Sequence, residues 1–332
     1  MNTRPILLAA ALLLPTLLAA QVNQTDAKGK QGPWERNWAN NKQLRYKGQF
    51  KDDKPVGTFT YYSTTGKVES IVAHYPTGGA SHGKHFHPNG KVMAEGRYVG
   101  EVKDSTWNYF DAEGHLRSTE RWKAGKLHGD QEAFFAEGGL ADKCTWSLGK
   151  RNGTCTDYFA NGQPRHVITY ANDIPEGIET VFYESGKKEL EGKYVKGERE
   201  GAWMHYNEDG SVQIQIYYTK GEYVKDKKEN GTFKEYYLDE QPKSEVTYKN
   251  GKKEGHFVEY YDNGHFVEQP TKLGPDQNAR QDTERVLQGQ AIKREGTYRN
   301  DLLEGDVKEY DETGKLLKTT TYTAGKESGI RN

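Results

Sequence analysis

Glycine returns every 24 residues through the middle of this chain. Gly66, Gly90, Gly114, Gly138, Gly162, Gly186 and Gly210 keep that interval without a slip. Aromatic residues keep it too, with Phe110, Phe134, Tyr158, Phe182 and Tyr206 in one phase and Tyr98, Trp122, Trp146, Tyr170, Tyr194 and Tyr218 in another. Chance does not hold separate residue classes in phase for so long. Such a period means a stack of supersecondary repeats, each burying its apolar surface against its neighbours.

The repeat from Gly177 to Glu200 shows the plan. It reads as a strand, a tight turn at Glu184-Ser185-Gly186-Lys187, a second strand, and a turn at Lys196-Gly197 into the next repeat. Asn-Gly and Asp-Gly pairs (Asn89-Gly90, Asn161-Gly162, Asp209-Gly210, Asn263-Gly264) stand where hairpins need positive φ. No helical period is sustained after the first twenty residues. The fold class expected is all-β: an elongated single-layer antiparallel sheet of ~24-residue β-hairpins. Repeats start at Gly32, Gly57, Gly83, Ser105, Gly129, Gly153, Gly177, Gly201, Gly231, Gly255 and Gly305.

Counted from each start, position +2 is often a large ring (Trp34, Phe59, Trp107, Trp203, Phe233, Phe257), and +6 lies on the same side of an ideal strand. Position +5 falls on the other face and carries Tyr206, Tyr236 and Tyr260 among others. Both faces are therefore expected to show aromatic rows, and Trp34, Phe59, Trp107, Trp203, Phe233, Phe257, Tyr206, Tyr236 and Tyr260 are the candidate binding residues. The later ring of each repeat, such as Trp146 or Tyr194, should stand level with a starting glycine, cover it and pin the register.

Hydrophobic residues are 33 % of the chain and aromatics 12 %, with a mean hydropathy of −0.99. That suits a thin sheet stabilised by rings and by lysine and glutamate stems lying over them. The 47 basic and 48 acidic residues balance, which gives no ground for nucleic acid or an acidic membrane as partner. Residues 1–20 read as a signal peptide, with Arg4 before an apolar run from Ile6 to Leu18. The expectation is an exported bacterial protein, periplasmic or extracellular, with no transmembrane anchor after cleavage. In that compartment Cys144 and Cys155, mirrored about the turn at Gly149-Lys150, are expected to form a disulfide. The remaining domain boundaries are a polar segment at 21–31, repeats at 32–264, an insertion loop at 265–294 with a short helix at Gln281–Gln288, a terminal repeat at 295–326 and a polar tail at 327–332. Six residues are inserted around Tyr223–Lys228.

The pattern Gly-x-Trp/Phe-x-x-Tyr-Tyr-x-x-x-Gly-Lys, then Glu-x-x-Tyr-x-x-Gly-Lys, resembles the MORN repeat in its variant form. Gly231–Tyr237 with Val246–Gly255, and Gly255–Gly264, carry it best. Bacterial proteins of this kind resemble the YwqK type, labelled antitoxin components, so the resemblance implies an antitoxin or immunity role. Lipid binding, also attributed to MORN proteins, would want a basic surface that the balanced charge does not supply.

Other chemistry is thinly represented. His82, His85 and His87, near His74, are the marginal candidates for a metal, but His85 fills a +2 ring slot, and solvated sheet histidines are the reading taken. Acidic turns at Asp209, Asp262 and Asp311 have too few oxygens in a cluster for calcium. No nucleophile–base pattern or phosphate loop stands out. The expectation is a non-catalytic protein without cofactor that acts as a scaffold for an unidentified protein. The alternatives are toxin neutralisation and binding of cell-wall glycan through the aromatic rows.

Overall fold

A computed structural model describes residues 21–39, 42–76, 78–270 and 283–331. The expected signal peptide at 1–20 lies outside them. No helix occurs among the described residues; the chain is strand, turn, strand. It forms two compact units, residues 1–150 and 151–332.

In the first unit the strands pair antiparallel in chain order, from Gln24–Asp26 on Gly29–Asn37 through to Gly129–Phe134 on Leu140–Ser147. The segment 21–31 is therefore part of the sheet. In the second unit the same succession runs from Lys150–Tyr158 to Val212–Thr219, against which Glu222–Lys228 pairs. The ladder then breaks. The six-residue insertion extends this last pairing over the partner's length, and after Glu229 and Asn230 the chain starts a different sheet with Gly231–Tyr236. That sheet closes with Lys326–Arg331 on Leu316–Thr323, so the tail is a strand.

Of the expected insertion loop at 265–294, residues 265–270 and 283–294 are described, and they hold no helix. His265–Pro270 pairs with Thr283–Gln288 as a two-stranded ribbon, and Ile292–Arg299 rejoins the sheet beside Lys252–Tyr260. The β-branched pair Val267 and Val286 faces across this ribbon. The charged run gave no helical face to bury, so pairing wins over helix.

Two kinds of turn alternate. Turns into the next repeat have positive φ at both central residues, as at Lys196 (52°) and Gly197 (86°), the twist that suits adjacent strands. Each sends an N–H back to the turn before it: Gly125 to Lys103 O at 2.9 Å, Gly197 to Pro175 O at 2.9 Å, Gly221 to Arg199 O at 3.0 Å. The acceptor is two residues before a repeat start, position −2, except at Gly100, whose N–H goes to Gly79 O at 2.7 Å. Glu176, Glu200 and Glu304, at −1, accept the N–H of the next turn's first residue at 2.7–2.8 Å. The turns inside each repeat carry a glycine bulge: Tyr183 N–H donates to Lys187 O and Gly186 N–H to Tyr183 O, both at 2.9 Å. Position +6 thus belongs to the turn and not to the strand. Its side chain reaches the carbonyl of the following repeat's +5 residue, as in Tyr183 to Tyr206 O (2.7 Å), Tyr237 to Tyr260 O (2.8 Å) and Trp38 to Tyr62 O (3.1 Å).

The later rings do stand opposite the starting glycines: Trp146 on Gly129, Tyr170 on Gly153, Tyr194 on Gly177, Tyr218 on Gly201. The closest ring-on-backbone contact is made elsewhere. A Cβ added to Gly96 or Gly192 would overlap the indole of Trp107 or Trp203, and one on Gly48 the ring of Phe59. These +2 rings are the core, with Phe59 exposed by 2 % and Trp107, Trp203 and Phe257 by 1 %. At the other repeat starts glycine serves φ instead, save Gly83, whose missing Cβ leaves room for the Tyr98 ring, and Ser105 is the one start that bears a side chain, at φ 60°.

Truncating Trp203 to alanine is expected to cost about 3–5 kcal/mol in denaturant unfolding, as for a buried aromatic elsewhere. Gly96→Ala should cost about 1–3 kcal/mol by overpacking and much less in a Trp107→Leu background, where the ring it strikes is gone. Ser105→Gly, by relieving a left-handed residue, should gain about 0.5–1 kcal/mol.

Candidate functional site

Of the candidate binding residues, Phe59, Trp107, Trp203 and Phe257 are buried, so they hold the sheet and present no surface. Trp34 and Phe233 are half-buried, as are Tyr206 and Tyr260; Tyr236 is 57 % exposed. Period two assigned each ring to a face but could not say how deeply it sinks onto a bare glycine. On the face opposite the +2 rings, positions +1, +3 and +5 form cross-strand polar pairs: Lys84 with Glu95 and Lys234 with Glu245 at 2.9 Å, Tyr310 to Glu295 at 2.6 Å. The hydrogen bond to Glu295 pushes the Tyr310 hydroxyl up to about 12.

The histidines do not converge. His82 Nε2 lies 3.9 Å from Glu95, His85 Nε2 3.1 Å from Tyr98 Oη, and His87 Nε2 2.8 Å from Phe110 O. Among the described residues no group of three His, Cys, Asp or Glu is arranged to hold a metal. Neither cysteine is free: Cys144 and Cys155 are both disulfide-bonded.

One concave site stands out, in the first unit. It is a groove of about 790 Å³ on the face of the +2 rings, running from Tyr46 and Phe50 past Phe59, Tyr61 and His74 to His85 and Tyr98. Phe59 forms its floor, 5.1 Å from Phe50 edge-on and 5.4 Å from His74. Tyr46 and Tyr61 flank it with centroids 5.9 Å apart. His85 stacks on Trp107 at 5.9 Å. At the mouth a longer turn, with Tyr75 N–H on Ala80 O at 3.0 Å, replaces the two-residue turn found elsewhere and leaves Tyr75 exposed. The rim carries one charge of each sign, Lys54 and Glu101.

Burial holds the His74 imidazole below the usual histidine range, and burial with the nearby Lys103 charge does the same at His85. His74 Nε2 is buried with no hydrogen-bond partner. No pattern in the sequence marks this groove.

Six segments match the MORN repeat variant. They are residues 82–99, 151–172, 175–196, 199–220, 229–250 and 303–324. No curated protein matches the sequence. Among solved structures, a Tc holotoxin pore from Photorhabdus luminescens aligns over 88 % of this chain and 17 % of its own, at 10 % identity and a TM-score of 0.16. The TcdB2–TccC3 complex aligns over 85 % of this chain and 15 % of its own, at 13 % identity and a TM-score of 0.17. A porin-like protein from Bacteroides uniformis aligns over 76 % of this chain and 93 % of its own, at 9 % identity and a TM-score of 0.16. The chain spans less than a fifth of the toxin chains it matches.

Histidines titrate in opposite directions along the chain, and His205, in the second unit, is lowered by burial as His74 and His85 are in the first. His166, in the second, is raised above 6.5 chiefly by its hydrogen bond to Glu179, at 2.7 Å. Its contribution to stability is full below 6.5 and is lost as pH rises through the raised value. His74 and His85 are lowered from 6.5, so their contribution is present above 6.5 and is lost as pH falls through their folded-state values. Ring resonances followed by NMR should titrate above the ordinary value for His166, falling back in Glu179→Gln, and below it for His74 and His85.

Proposed function

We propose that this chain is an exported, non-catalytic repeat protein that binds another protein, with the unit 1 groove as its contact site. The observation that carries the reading is how the side chains are used. The phased residues are engaged in holding the sheet: rings on bare glycines, turn residues on preceding carbonyls, charges in cross-strand pairs. The groove between Tyr46 and Tyr98 breaks that pattern, for there an aromatic surface is left open. Concave, mostly aromatic sites with few polar groups are where proteins place binding. The leader-like run at 1–20 and the disulfide-bonded cysteines support an oxidising compartment.

Affinity capture from native envelope extract with the chain from Gln21 onward tests the reading. One protein retained by the wild type and lost by a Tyr46→Ala/Tyr61→Ala variant of unchanged thermal stability is the expected result. A retained toxin would make the role neutralisation. Wall polymer retained without any protein would replace this reading with glycan binding, and a protein retained equally by the double variant would remove the groove as its contact.

A further inference from the structure

The floor of the groove is a stretch of sheet face with small side chains. Ser70 stands between Tyr61 and His85 in one cross-strand row, and Val72 between Phe59 and Gly83 in the next. In a third row His74 is opposite Ser81, and Ser81 opposite Tyr98. The rings on one side are drawn off this floor. Tyr98 lies over Gly83, where an added Cβ would fall 2.7 Å from it, and His85 stacks on Trp107 at 5.9 Å. Tyr46 and Tyr61, 5.9 Å apart, stand on the other side. The space between them, about 790 Å³, is of the size that ligand sites have.

The floor restricts what can lie there. Val68–His74 and Ala80–Phe86 are both paired on their two sides, so their backbone groups are spent within the sheet. A guest in β conformation would bring ladder N–H and C=O groups to a surface that has none to return, at the cost of leaving them unpaired. Charge does not select the guest either. The rim charges of Lys54 and Glu101 are opposite, and Lys30 beyond them is engaged by Asp53 at 3.8 Å and lies 4.7 Å from the Phe50 ring. What remains on offer is ring surface and hydroxyl groups. The Tyr98 hydroxyl is taken by His85 at 3.1 Å, whereas among the described residues nothing hydrogen-bonds the hydroxyl of Tyr46 or Tyr61.

We propose that the groove binds a short, uncharged, proline-rich segment of the protein partner in the polyproline II conformation. This rests on the protein-binding reading and names the class of segment. A polyproline II chain has no internal hydrogen bonds and keeps its backbone in water, and proline has no N–H to satisfy, so the segment asks nothing of the spent floor. Its pyrrolidine rings bury apolar area against the tyrosine rings, and its carbonyls accept from the Tyr46 and Tyr61 hydroxyls. The run from Ser70 to His74 is about 13 Å long, the length of about four residues in this conformation. Past His74 the way out is clear, since a Cβ at Gly78, Gly79 or Gly100 would meet nothing within 4 Å. Such a segment is stiff before it binds and loses little entropy on docking.

The test uses the chain from Gln21 onward and two uncharged probes, acetyl-hexaproline amide and an acetylated Gly-Ser hexapeptide amide, followed by the ring resonances of Tyr46, Tyr61 and His85. Saturable shifts are expected with hexaproline, with binding about tenfold weaker for the flexible control. Tyr61→Phe keeps the ring and loses the donor, and should weaken hexaproline binding about threefold at unchanged melting temperature. Ser70→Phe sets a ring on the floor between Tyr61 and His85 and should abolish the shifts. Equal response to both peptides, no saturable response to hexaproline, or undiminished binding by Ser70→Phe overturns the proposal. So do shifts of these rings by a chito-oligosaccharide with none by hexaproline. A protein captured from envelope extract that Ser70→Phe loses, but that hexaproline does not displace, would leave protein binding at the groove standing and remove only the proline-rich contact.

Discussion

A large ring lying flat on a glycine of the neighbouring strand is the contact on which this sheet depends. Trp107 on Gly96, Trp203 on Gly192 and Phe59 on Gly48 each bring a ring against bare backbone, closer than any Cβ would allow. A chain with 33 % hydrophobic residues has little aliphatic bulk to bury. Setting the ring on the backbone lets a thin sheet bury an indole almost completely. The rest follows from that approach. The ring's other side is covered at Trp107 by Lys103, 4.9 Å away, and at Trp203 by Arg199, 4.5 Å away, and each of these cations has its carbonyl held by a turn-to-turn hydrogen bond.

The repeat is therefore an accounting of polar groups as much as of apolar ones. Turn N–H groups go to carbonyls one repeat back, tyrosine hydroxyls at +6 to carbonyls one repeat on, and acidic residues at −1 to the next turn's first N–H. A period near 24 lets each of these reach its partner, because donor and acceptor recur together. Where a turn lacks glycine, as at Asp173 and Asp301, the aspartate keeps positive φ and its carboxylate takes the N–H of Arg151 or Lys253 at 2.8–2.9 Å.

Much of the fold was legible because its determinants are local. Glycine phase and Asn-Gly turns specified hairpins, and mirroring about the turns gave the register of Tyr194 on Gly177 and Tyr218 on Gly201. Depth was not legible, since period two assigns Trp107 to a face without revealing that Gly96 leaves room for it to sink. The turn bulge also carried +6 off the strand, so Tyr183 became a hydrogen-bond donor between repeats. The ribbon at His265–Pro270 and Thr283–Gln288 pairs segments much farther apart in sequence than the short turns by which the other hairpins were read. The groove was hidden for another reason: its lining is drawn from several repeats and from the longer turn after Tyr75, so no single motif carries it.

The break after Glu229 carries a consequence for how this molecule comes apart. In a stack of repeats, cooperativity is passed from neighbour to neighbour through shared pairing. Glu222–Lys228 and Gly231–Tyr236 belong to different sheets, so the strand ladder is interrupted there, and the bonds that cross are those of Glu229 O with the Gly251 N–H and of Asn230 with Val212, Asn207 and Asn250. Fraying that starts at Lys326–Arg331 meets at Asn230 a link made of turn and side-chain hydrogen bonds, the weaker kind of neighbour coupling. An insertion of six residues thus acts as a seam in the stack.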